Sequence, residues 1–126
     1  MRLLLDTHLL LWWLDASPSL SAQAGEMIRD PENTVFVSAV SLWEIWLKQS
    51  LGKLRLPVDF TDRLAAESFE SLPLMAAHAR QVAVLPWRHR DPFDRMLVAQ
   101  AQVEKLVLLT ANEALTAYGA VVQLAR

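Results

Sequence analysis

RLLLDTHLLLWWL, residues 2–14, decides the fold. Arg2–Leu5 is a short run, apolar after its first residue, and reads as a strand buried on both faces, since a half-exposed strand would alternate apolar with polar. His8–Leu14 reads as a helix that is apolar nearly all round and is therefore packed on more than one side. One carboxylate, Asp6, stands between them where the strand ends. Burying it amid Leu3–Leu5 and Leu9–Leu11 is costly without a partner, and capping the following helix is its only undemanding structural use.

Outward from this stretch the chain keeps alternating. Ser17-Pro18 opens a helix that stops at Asp30-Pro31, and the β-branched and aromatic TVFV at 34–37 is a second buried strand. Helices follow over 41–51, closed by Gly52, and over 57–69, amphipathic through Phe60, Leu64 and Phe69. A short strand at 71–74 precedes a helix over 75–85 and a polar, Trp-containing loop at 86–90. The remainder reads as a helix over 92–105, a buried strand LVLL at 106–109, a short helix over 112–118 closed by Gly119, and an edge strand at 120–124. Short apolar strands alternating with helices predict an α/β domain with a mainly parallel sheet covered on both faces.

No internal repeat, linker or low-complexity segment divides the chain, and 126 residues match one domain, 1–126. With 53% hydrophobic and 21% charged residues, disorder is excluded. The absence of cysteine rules out a disulfide scaffold, a zinc–thiolate site, a thiol nucleophile and a Cys-ligated iron–sulfur cluster. A net charge of −2 supplies no global basic field, so a nucleic-acid partner would have to be held by a local patch. The apolar run Leu3–Leu14 is broken by Asp6 and His8, is too short to span a bilayer and is followed by no small-residue cleavage site. A soluble, cytoplasmic protein without a membrane partner is expected.

In parallel sheets the binding crevice lies beyond the carboxyl ends of the strands. There the sequence places Asp6, Ser38, Thr110 and Asn112, with Glu44 one turn into the helix after the second strand and Asp91 and Asp94 opening the helix before the late one. Acids gathered in one pocket repel each other unless a hard cation neutralises them, and Mg2+ or Mn2+ prefers oxygen ligands. Each motif also has a plain structural reading. Ser41-Leu42-Trp43-Glu44 fits a capping box, while Asp91-Pro92-Phe93-Asp94 and Thr110-Ala111-Asn112-Glu113 both make sound helix starts. For Asp6 alone the functional reading is ahead. Arg88-His89-Arg90 with Arg95, and Lys48 with Lys53 and Arg55, are basic clusters that suit phosphate contacts or simply a solvated face. His8 lacks a second ligand at metal spacing and reads as a packed histidine, His78 is isolated in a helix, and His89 lies in a loop between two arginines. The five tryptophans read mostly as core, with one of Trp12 and Trp13 free for an oligomer interface.

LLLDTHLLLWW at 3–13, VSAVSLWEI at 37–45, RDPFDRMLVAQA at 90–101 and LLTANEALTAYG at 108–119 together resemble the PIN-domain ribonucleases, and among them the VapC-type toxins of bacterial type II toxin–antitoxin pairs. The resemblance is collinear over nearly the whole chain, only about 52–86 being nondescript. It implies a three-layer α/β/α sandwich and a Mg2+- or Mn2+-dependent endoribonuclease that leaves a 3′-hydroxyl and a 5′-phosphate and is restrained by a small antitoxin. It further implies Asp6, Glu44 and Asp94 as the catalytic, metal-holding acids, with Asp91 and Asn112 as additional metal candidates. Thr7 and Ser38 match small polar positions near the family's site, and with Lys48, Arg88 and Arg90 they make up the candidate RNA contacts. One departure stands out. The family's fourth acid follows the late strand in a Thr-x-Asp setting, which here reads Thr110-Ala111-Asn112, and an amide brings no charge for a second metal. A catalytically weak or inactive PIN-like RNA- or partner-binding module is the alternative. Phosphoryl transfer through an aspartyl-phosphate fits poorly, since Asp6-Thr7-His8 lacks a second Asp. The surplus of large apolar side chains on the helices over 8–14 and 41–51 predicts a homodimer as well as an antitoxin groove.

Overall fold

Leu3 and Leu5 point to one side of the first strand and Leu4 to the other, and this alternation sorts the hydrophobic core into two layers. The computed structural model describes residues 1–126. Its elements are β1 (Arg2–Leu5), α1 (Thr7–Leu14), α2 (Ala22–Arg29), β2 (Thr34–Ser38), α3 (Ala39–Ser50), α4 (Phe60–Ala66), β3 (Glu70–Leu72), α5 (Ala76–Val84), α6 (Pro92–Glu104), β4 (Val107–Thr110), a 3-10 helix (Glu113–Tyr118) and β5 (Val122–Leu124). The five strands form one sheet in the order β3-β2-β1-β4-β5, every pair parallel. Leu3, Leu5, Val35, Val37 and Leu109 meet α1, α2, α3 and α4 on one face. Leu4, Leu72 and Leu108 meet α6, Leu85 and Leu115 on the other. The sandwich and its edge strand β5 agree with the sequence reading. No helix is long and apolar enough to cross a membrane.

Several boundaries differ from expectation, each for a local reason. Ser17-Pro18 forms a turn, its hydroxyl and carbonyl taken by the amides of Ser19 and Leu20, and α2 starts only after Ser21, whose side chain accepts from Ala24 N. The amphipathic 57–69 segment is helical only from Phe60 to Ala66. The last short helix is 3-10 rather than α. Most of the tryptophans read as core, yet none is buried. Trp12 and Trp13 are half-covered, and Trp43, Trp46 and Trp87 are exposed.

The order of the sheet fixes where a site can form. From the central strand β1 the chain moves to β2 on one side, whereas β4 lies on the other, so the crevice between the carboxyl ends of β1 and β4 is the topological switch point. α3, which follows β2, also lies against α6 near this edge. Residues ending β1, opening α3 and opening α6 thus share one rim.

Candidate active site

Asp6 closes β1 and caps α1. Its Oδ1 accepts from Leu9 N at 2.8 Å, and its Oδ2 accepts from the Thr110 hydroxyl at the end of β4. The carboxylate is 4% exposed. Burial raises its pKa above the ordinary carboxylate value; the Thr110 and Leu9 hydrogen bonds oppose this, and the nearby Glu44 charge adds to it. The cap is real, but it does not cancel the cost of holding this charge away from water.

Glu44 loses its plain explanation. α3 begins at Ala39 because Ser38 caps it, accepting from Val40 N at 2.9 Å, so no capping box forms between Ser41 and Glu44. Ser41 instead lies buried inside α3 and accepts from the Thr7 hydroxyl at 3.1 Å, tying α1 to α3. Glu44 is 3% exposed, with Oε2 paired to Lys48 Nζ at 2.6 Å, one helical turn on. Its other oxygen, Oε1, is buried with no hydrogen-bond partner at all. Such an orphaned acceptor carries its full desolvation penalty. Lys48, whose pKa is raised chiefly by its hydrogen bond to Glu44, is thereby engaged by an acid rather than free for RNA.

At α6, Asp91 is the N-cap, accepting from Phe93 N and Asp94 N, and Asp94 follows within the first turn. Burial first, and then the charges of Asp91 and Asp6, push Asp94 up to about 6, while a hydrogen bond from His89 pulls it down. Asp6 thus feels the charge of Glu44, and Asp94 that of Asp6. They do not converge into a ready cage, since no three acidic or histidine side chains stand close enough to hold one ion together.

Asn112 lies with Asp6, His8 and Trp12 around a cavity of about 230 Å3, but its Oδ1 accepts from Ala114 N and caps the 3-10 helix. A second cavity, of about 340 Å3, reaches Glu44 from the other side past His8, Lys48, Lys53 and Arg55. His8 is exposed between the two, contrary to the packed histidine expected, and only His78 is buried, accepting from Met75 N at the start of α5.

Among the candidate RNA contacts, Arg88 and Arg90 are exposed. Ser38 is completely buried, bonded to Val40 N and Gln100, which removes it from that set, and the buried Thr7 is occupied with Ser41. Arg95 leaves the basic surface cluster too, being 2% exposed and bonded to backbone carbonyls. The sequence reading missed Thr110 as the partner of Asp6, His89 as that of Asp94, and Lys48 as that of Glu44. Only the last had a signal, the helical i,i+4 spacing of Glu44 and Lys48.

A family model described as PIN domain matches residues 3–121. No curated protein sequence matches significantly. Among solved structures the fold is similar to that of VapBC2 from Rickettsia felis bound to a DNA fragment from its promoter, at a TM-score of 0.76 and 16% identity with all of both chains covered. It is also similar to FitAcB from Neisseria gonorrhoeae, at 0.65 and 20% with 95% of each chain covered. VapBC-5 from Mycobacterium tuberculosis, of the VapBC family of toxin–antitoxin systems, gives 0.62 and 21% over 99% of this chain and 98% of that one.

Proposed function

The chain belongs to the PIN domain family, and from that premise we propose that it is the nuclease toxin of a toxin–antitoxin pair, an endoribonuclease that works with a divalent cation in the cytoplasm. The observation that carries this reading is the buried, unpartnered Oε1 of Glu44 on the same rim as Asp6 and Asp94, two acids whose ionisation the fold disfavours. The donor set is all oxygen, which suits Mg2+ or Mn2+. Acids that do not converge still fit such an ion, because Mg2+ keeps several waters and takes only one or two carboxylates directly.

Asp6, Glu44 and Asp94 are the residues that would hold the cation, directly or through water, while Asp91 and Asn112 serve chiefly as caps. A divalent cation bound there supplies charge stabilisation at the scissile phosphate and a lowered pKa for an attacking water. The chain's own part is positioning. Thr110 and Leu9 N fix Asp6, and Lys48 holds one oxygen of Glu44 while leaving the other unpaired. Arg88 and Arg90 are exposed on the loop before α6 and would hold RNA phosphates near Asp94.

The solved complexes of similar fold are toxin–antitoxin pairs, which supports an antitoxin partner. A homodimer fits the exposed stripe of Trp43, Trp46, Leu47 and Leu51 along α3. A second reading, a binding module without catalysis, is favoured by Asn112, whose neutral side chain already serves as a cap.

Incubating the purified protein with single-stranded RNA, with Mg2+ or Mn2+ and with chelator, separates the two. Cation-dependent cleavage leaving 5′-phosphate ends, absent in Asp94→Asn, is expected. RNA that stays bound but intact would favour the module.

A further inference from the structure

The loop at residues 86–90 is clamped to the residue that follows Asp94. Arg95 is buried in α6, and its guanidinium donates to Pro86 O at 2.9 Å, to Val82 O at 3.1 Å and to the Tyr118 hydroxyl at 3.0 Å, while Trp87 stacks over it with 3.8 Å from guanidinium carbon to ring centroid. The clamp returns the loop to the start of α6, where His89 Nε2 lies 3.0 Å from Asp94 Oδ2 and both side chains are about four-fifths covered. An ionised carboxylate can only accept, so Nε2 carries the proton and donates. Asp94 Oδ1 makes no hydrogen bond within the fold. An acid facing the charges of Asp91 and Asp6 gains by swinging toward water, and this contact holds it in place.

We infer that His89 is a positioning residue of the cation site, fixing the Asp94 carboxylate through Oδ2 so that Oδ1 is left for the ion. The inference rests on the metal-site reading above. Partners that orient metal-holding side chains typically contribute a factor of about 10–100 in metal affinity.

Titration calorimetry with Mn2+ on the intact protein, alongside thermal melting, tests it. His89→Ala is expected to bind Mn2+ about 10–100-fold more weakly than wild type. His89→Gln, whose amide nitrogen reaches the position of Nε2, should recover most of that loss. His89→Asn, whose amide falls short, should not, and it replaces the alanine variant if that one fails to fold. A merely structural histidine would lower the melting temperature in these variants and leave Mn2+ affinity at the wild-type value, which overturns the role of His89 alone. A wild-type protein that binds no Mn2+ removes the metal site and this role with it.

Discussion

At Asp6 the two carboxylate oxygens are engaged by different parts of the chain, one by the helix it caps and one by Thr110, 104 residues away. The first contact is legible in the sequence, because a carboxylate directly before an apolar helix is a recognisable cap. The second is not, because which hydroxyl closes on it depends on strand order. The same holds for His89 and Asp94, which only the return of a loop brings together. Burial of Asp94, reinforced by the charges of Asp91 and Asp6, also sets a pH dependence. Asp94 has a pKa of about 6 in the folded protein against an ordinary value of 3.8, so between these values the folded state binds more protons than the unfolded chain. Metal-free stability should therefore be highest below about pH 4 as far as this group is concerned, and should fall as pH rises through 6. Melting curves in chelator across that range should show a shallower decline for Asp94→Asn than for wild type.

At the scale of elements, β1, β2 and β4 are read to within a residue, because continuous apolar runs bounded by polar residues leave little choice of register. The shorter edge strands β3 and β5 each differ by two residues at one end. Helix starts are harder, since several Ser and Asp residues compete as caps. Ser38 wins over Ser41, and Ser21 over Ser17. The first of these shifts matters for function. It turns Glu44 from a capping acid into a buried one in the second turn of α3. Arg95 is the reverse case, an arginine within a charged stretch that belongs to the interior, where it joins α6 to the end of α5 and the 86–90 loop. Arg95→Ala leaves carbonyls unsatisfied and should destabilise the fold by about 3 kcal/mol, whereas Arg90→Ala at the surface should change it by less than about 0.5 kcal/mol. Chemical denaturation of the two variants checks this contrast.

For the whole molecule, composition reports how much apolar surface exists but not which way it faces. The exposed Trp43, Trp46, Leu47 and Leu51 form a stripe that a second chain can cover. Light scattering at tens of micromolar should give about twice the mass of one chain, and Trp43→Glu should shift it toward monomer. The sheet order places the three acids on one rim, and the central claim is that their shared charge awaits a cation. Thermal unfolding of chelator-treated wild type and Asp6→Asn, each with and without Mn2+, tests this most directly. Asparagine keeps the cap and removes the buried charge, so the metal-free variant should melt at or above wild type. A hundredfold excess of Mn2+ over its Kd should raise the wild-type melting temperature by on the order of 10 °C and leave the variant unmoved. Equal Mn2+ shifts in both proteins, or none in either, would contradict the account.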